Sequence, residues 1–301
     1  SNLVMKDPTG AEIGARQCGL VYELIDHLKK KDESNFAPFV NYLLDTQPAG
    51  QLPSAWSDEG RELFMQILGH EGFTMEEAKA SLPETGELDL ENTLPPGYPI
   101  GWIENEWYGL CDGEEGELEE YAAMIVIQRS WDNILIPLYD MVNHRNGKWL
   151  NTKSDESGVH SGKGVNVLAK RDIKKGEQIY STYNMCEDCG GRLKTYGTAE
   201  ILRDYGFVEE YPQTWIFQDI DADFRIDTKG IDDDGETIYE IIEWINGEPD
   251  EQDLVDLKAK LEEVKYGIKL LGTKEDHPDV PENEYEMMVE YMKAMETAFS
   301  V

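Results

Sequence analysis

Apolar residues recur at helical spacing early in the chain. Leu20, Leu24, Ile25 and Leu28 form one stripe, and Phe36, Phe39, Leu43 and Leu44 form another, so residues 19–49 read as two helices. Pro48 and Pro53 break the second pattern. Ser57 then sits where an N-cap belongs, ahead of a run that places Leu63, Phe64 and Ile67 on one face. Thr74 and Glu77 have capping-box spacing at the head of another short helix. This helical quarter shows no catalytic arrangement, and packing is its expected role. Residues 80–118 are rich in proline, glycine and acids and read as an irregular connection. Residues 119–131 return to helix with an almost wholly apolar centre, so burial on most sides is expected. Arg129 near its end then needs an anion or a carbonyl as partner.

The next elements are short. Residues 134–138 (ILIPL) read as an apolar strand. Val165, Val167 and Ala169 alternate with polar residues, as in a half-buried strand, and a turn at 173–177 leads into a strand over 178–183. These pieces are too short and too widely separated by loops for a doubly wound sheet, and no GxGxxG occurs. An α+β arrangement of small sheets fits them. Residues 215–227 read as a strand pair or an extended connection, and acids accumulate from Asp232 to Asp253. Helical spacing resumes with Leu254, Leu257, Leu261 and Val264, and again with Tyr285, Met288, Val289 and Met292. Residues 216–301 therefore read as a second, mainly helical domain. The run DIDADFRIDTKG is a poor calcium loop, because Arg225 and Ile226 stand where an acid and a glycine are required.

With 301 residues, 40% of them hydrophobic, the chain is long enough for a sizeable core and for two domains. No run of eighteen apolar residues spans a membrane. The opening SNLVMKDPTG lacks a secretory signal and reads as a boundary within a longer sequence. Four cysteines are too sparse for a disulfide scaffold, so a reducing intracellular compartment (cytoplasm, nucleus or plastid) is expected. Cys186 and Cys189 form one CxxC; it could supply half a zinc site or a redox pair, but no second paired set exists, and free thiols with no bound metal are the expectation. The formal charge of −35 repels phosphate backbones, so no nucleic-acid partner is expected. It would attract a basic protein or peptide, and it also serves solubility alone.

Asp140-Met141-Val142-Asn143-His144 follows directly on ILIPL, placing an amide and an imidazole at a strand exit. His27, His70, His160 and His277 supply no metal-binding spacing with His144. Tyr183 ends the GEQIYSTY strand, and Tyr205 lies in DYGF beyond a helix over 198–203; either could equally be a core or rim residue. No nucleophile elbow, phosphate loop or HExxH is present. These residues alone indicate a polar site near 140–205 and leave its chemistry open.

The string RSW, IPLYDMVNHRNG, KRDIKKGEQIYSTYN and AEILRDYGFVEE, in that order, resembles the SET domain of the RuBisCO large-subunit lysine methyltransferase group, which includes the actin-histidine methyltransferase. The resemblance implies a SET fold of small sheets with a pseudoknot over residues 1–215, a helical insert over 19–80, and an acidic, mainly helical substrate-binding domain over 216–301. The family's early glycine-bearing segment is missing, which implies either further residues upstream or a differently built fold with an open cofactor pocket. S-adenosylmethionine is the implied cofactor, with Asn143 and His144 at its adenosine end, Arg129 near its carboxylate and Tyr183 beside its methyl group. Tyr205 would line the lysine channel with Tyr183. The implied activity is methyl transfer to a protein side-chain nitrogen, lysine Nε first. Tyr139, where the histidine-specific relative carries tryptophan, keeps histidine open as acceptor. A non-catalytic acidic interaction module of SET-like shape is the rival reading.

Overall fold

The computed structural model describes residues 5–6, 13–70, 72–76, 107–108, 111–131, 134–155, 166–184, 196–216, 222–232, 234–245 and 247–301. Contacts divide the chain into two units: residues 1–140, 202–207 and 263–292 form the first, and residues 141–201, 208–262 and 293–301 the second. The division falls elsewhere than at 215/216, and each unit gathers segments distant in sequence.

In the first unit, α1 (Ile13–Lys30) buries the predicted stripe, with Leu20 and Leu24 fully enclosed and Leu28 1% exposed. Helix α2 (Ala37–Thr46) adds Phe39, Val40 and Leu43 to the same cluster, while Leu44 stays exposed. Helix α3 (Asp58–Ile67) starts as its sequence requires: the Ser57 hydroxyl accepts the Gly60 N–H at 3.0 Å. That cap has a second partner. Glu284 accepts from the Ser57 N–H at 2.9 Å and from its hydroxyl at 2.7 Å. Thr74 lies just ahead of residue 77, which is outside the described residues, so the capping-box expectation is untouched. Helix α4 (Glu117–Arg129) buries Tyr121 through Val126 and Gln128, which is why its sequence shows almost no polar face.

Beyond α4, β1 (Met5–Lys6), β2 (Ser130–Trp131) and β3 (Ile134–Leu135) form an antiparallel sheet ordered β1-β3-β2. The expected strand over 134–138 stops after two residues. Pro137 has no N–H for a ladder, and Leu138 turns to φ 79° and is exposed. A disulfide joins Cys18 on α1 to Cys111, across a sequence separation of 93. Sparse cysteines therefore still supply one bridge, and the argument they gave for a reducing compartment weakens accordingly. Cys186 and Cys189 lie outside the described residues.

The second unit holds β4 (Asn143–His144), β5 (Thr152–Asp155), β6 (Asn166–Ala169) and β7 (Tyr180–Ser181). Strand β4 pairs in parallel with β7, and β5 pairs antiparallel with β6. All four residues of β6 are exposed, so the half-buried strand expected there is open on both faces. Helix α5 (Thr198–Tyr205) follows, then β8 (Gln213–Trp215), β9 (Phe224–Ile231) and β10 (Thr237–Trp244), an antiparallel sheet ordered β10-β9-β8. The region after 216 thus opens on a sheet before α6 (Glu251–Leu271) and α7 (Glu282–Ser300). A Cβ on Gly267 of α6 would lie 2.1 Å from the carbonyl oxygen of Ile67, so no side chain fits at this first-unit contact.

The fold expectation needs correction. The chain is a mixed α+β protein, but its sheets are open and uncurled and do not form the SET-domain pseudoknot. The parallel β4–β7 pairing spans only two residues on each strand.

Among the described residues no helix is long and apolar enough to cross a membrane.

Candidate functional site

In the second unit, β4–β7 pairing sets Asn143 opposite Tyr180 and His144 opposite Ser181. The Arg145 N–H continues the ladder to the Ser181 carbonyl at 3.0 Å. Tyr183 is thereby brought beside His144, their ring centroids 5.1 Å apart. Its backbone N–H donates to His144 Nδ1 at 2.9 Å, and its hydroxyl donates to the Val142 carbonyl at 2.7 Å. Because Nδ1 accepts, the imidazole proton sits on Nε2, which donates to Glu209 Oε1 at 2.8 Å. Both side chains are almost completely enclosed, His144 at 2% and Glu209 at 0% exposure.

Glu209 is the centre of this cluster. Its Oε1 also accepts from Asn146 Nδ2 at 2.8 Å, and its Oε2 accepts from the Thr198 hydroxyl at 2.5 Å and the Thr214 N–H at 3.5 Å. Asn146 further donates to Asn184 and accepts from Thr182. A buried carboxylate ringed by donors needs no cation beside it. The arrangement pins β4, β7, the start of α5 and the approach to β8 together. Sequence reasoning missed Glu209 because Glu209 and Glu210 are adjacent, and neither periodicity nor spacing says which turns inward.

Of the residues expected at a cofactor site, the structure brings Asn143, His144 and Tyr183 together in this unit. The Asn143 side chain is exposed, whereas both ring nitrogens of His144 are engaged within the protein. What His144 can offer a ligand is therefore its backbone.

Arg129 and Tyr205 belong to the first unit. Tyr205 is half-buried; its carbonyl accepts from Gln128 Nε2 at 3.4 Å and its ring lies 6.4 Å from Phe207. Arg129 finds the partners its position demands: it donates to the Asp140 carbonyl at 2.8 Å and to Gln47 Oε1 at 2.6 Å. Its guanidinium also lies 3.6 Å from Asp140 Oδ2, too long for a hydrogen bond but close enough to attract. The Asp140 side chain is 3% exposed, and neither of its carboxylate oxygens has a hydrogen-bond partner among the described residues. Arg129 Nε is likewise buried and unbonded. Sequence reasoning quoted Asp140 within its motif but gave it no role.

Burial pushes the Asp140 carboxyl up to about 6, against the opposing pull of Arg129. A carboxyl raised on folding binds its proton more tightly in the folded state. Its stabilising contribution is therefore full at about pH 4 and is lost as pH rises through about 6, a change of about 3 kcal/mol. Asp140→Asn cannot ionise, so its stability relative to wild type is expected to rise by about that amount from pH 4 to pH 7 in urea unfolding. A difference independent of pH would place the ionisation elsewhere.

No family model, no curated protein and no solved structure matches this chain.

Proposed function

We infer that the chain is an S-adenosylmethionine-dependent protein methyltransferase acting on a side-chain nitrogen, lysine Nε first. The observation that carries this reading is the Arg129–Asp140 pair: a buried cation and a buried carboxylate side by side, with orphaned polar atoms on both. Such a pair complements an α-amino-acid end, Arg129 taking the carboxylate and Asp140 the ammonium. Within the second unit taken by itself, the resemblance assigns the exposed Asn143 amide to the adenosine end and Tyr183 to the methyl group. Tyr205 keeps the role of lining the amine's approach.

When bound, the cofactor supplies an activated methyl group for in-line displacement by a neutral amine. A lysine amine with an ordinary pKa near 10.4 is mostly protonated at pH 7, so an apolar approach that favours the neutral form is what the protein must provide. A tyrosine hydroxyl beside the nitrogen orients its lone pair without acting as a strong base.

Calorimetric titration of the chain with S-adenosylmethionine is expected to show binding that Arg129→Ala and Asp140→Ala abolish. Tyr183→Phe is expected to keep that affinity while cutting transfer of labelled methyl to a lysine-rich peptide pool by about a hundredfold. No binding to the wild-type chain, or equal loss of affinity and turnover in Tyr183→Phe, would overturn the assignment.

A further inference from the structure

Charge is unevenly distributed along this chain. Residues 145–175 contain eight of its 27 bases and only three of its 62 acids. The segment is a basic island in a protein of net charge −35. Arg145 pairs with Glu210 and Arg171 with Glu177, but Lys148, Lys153, Lys170, Lys174 and Lys175 have no carboxylate partner among the described residues. These five lysines, with so few acids beside them in sequence, leave a locally positive surface in an otherwise acidic chain. Elsewhere Lys29, Lys30 and Lys229 are each paired with an acid, and lysines without one among the described residues, such as Lys258 and Lys293, stand in segments where acids outnumber bases.

Strand β6 lies in the middle of this island, and one of its edges is covered by no strand among the described residues. It pairs with β5 alone among the described residues, with Lys153 opposite Leu168. The Lys170 N–H donates to the Asn151 carbonyl at 2.8 Å, so by antiparallel alternation the backbone groups of Leu168 also face β5. Those of Val167 and Ala169 face away, leaving N–H and C=O groups directed outward. Val167 is 44% and Leu168 43% exposed, so a strand added here would also find apolar contacts. Edges of this kind are ordinarily blunted by charge or covered. Here the flanking charge is predominantly positive, despite Asp155 opposite Asn166 and Asp172 beyond the strand, so it favours acidic strands over basic ones.

We propose that β6 is a docking edge for an extended acidic peptide of a partner protein, which adds as a strand beside Val167–Ala169 while its carboxylates meet Lys153, Lys170, Lys174 and Lys175. Backbone pairing supplies affinity in this mode, and the side chains select the sequence. Nucleic acid is the poorer occupant, because it cannot use the strand's outward N–H and C=O groups. Its phosphate chain would also extend past the island into the field of the acidic remainder. A short peptide stays within about a Debye length, roughly 8 Å, of the lysines. The proposal is independent of the methyltransferase reading and concerns a different segment from the acceptor residues.

The test is fluorescence anisotropy of a labelled peptide alternating glutamate and valine, titrated with the whole chain. Micromolar binding that weakens with salt is expected, about tenfold weaker in Lys170→Glu/Lys174→Glu. Val167→Pro removes only an outward-facing donor and is tolerated on an edge strand; it is expected to weaken binding similarly with an unchanged circular dichroism spectrum. A lysine–valine peptide should not bind. Four results would each overturn the proposal. These are no binding, equal binding of the lysine peptide, tighter binding of a single-stranded oligonucleotide or of anionic lipid vesicles, and a wild-type chain that self-associates through this edge and dissociates in Val167→Pro.

Discussion

Glu209→Ala is expected to cost the second unit about 4 kcal/mol, because one substitution strands several buried donors at once. His144 Nε2, Asn146 Nδ2 and the Thr198 hydroxyl all converge on that carboxylate. Exposed ion pairs elsewhere, such as Lys229–Glu240, contribute far less because water competes for both partners. The distinguishing readout is local. Loss of Glu209 frees the His144 ring, so the Tyr183 amide that donates to its Nδ1 should lose hydrogen-exchange protection before amides in the first unit do. A double-mutant cycle of Glu209→Ala with His144→Ala should show strong coupling, since each change removes the other's partner. Near-additive losses would mean that the imidazole and the carboxylate act separately, and the cluster would then not be one unit of stability.

The second large effect is expected on reduction. Joining Cys18 to Cys111 closes a loop of nearly a hundred residues, and loop-closure entropy in the unfolded chain assigns such a link about 5 kcal/mol. Cys18 lies on α1 among the buried residues of the first unit, so the bridge fastens the core's first helix to the connection ahead of α4. Urea unfolding with and without dithiothreitol, and of Cys18→Ser, should show midpoints lowered together. An oxidised chain with the same midpoint as the serine variant would mean the bridge does not form in solution.

Legibility differed sharply between elements. The first-unit helices were readable because burial on one face forces a 3.6-residue period, and Leu20, Leu24, Leu28, Phe39 and Leu43 all follow it. The Ser57 cap and the needs of Arg129 were readable because an unsatisfied polar group has few possible remedies. Strands fared worse. Residues 134–138 and 178–183 promised longer pairings than Ile134–Leu135 and Tyr180–Ser181 deliver, since pairing depends on a partner that local sequence does not reveal. The SET-like motifs include His144 and Tyr183, which lie side by side, yet they did not determine the fold. The same short strings are compatible with open two-stranded pairs. Glu209 and Asp140 escaped notice for a related reason: in a chain with 62 acids, nothing local marks the few whose carboxylates become enclosed.

The bond between Ser57 and Glu284 spans 227 residues of chain. At ribosomal speeds of about 5–20 residues per second, the segment carrying the α3 N-terminus would wait roughly ten to forty seconds before its partner had been made. During that interval the early helices can cluster but the first unit cannot close, because its last pieces, residues 263–292, do not yet exist. A nascent chain of this protein therefore depends on shielding through synthesis more than a protein whose units are contiguous. Truncation before Glu284 should yield a product that quality-control proteases remove.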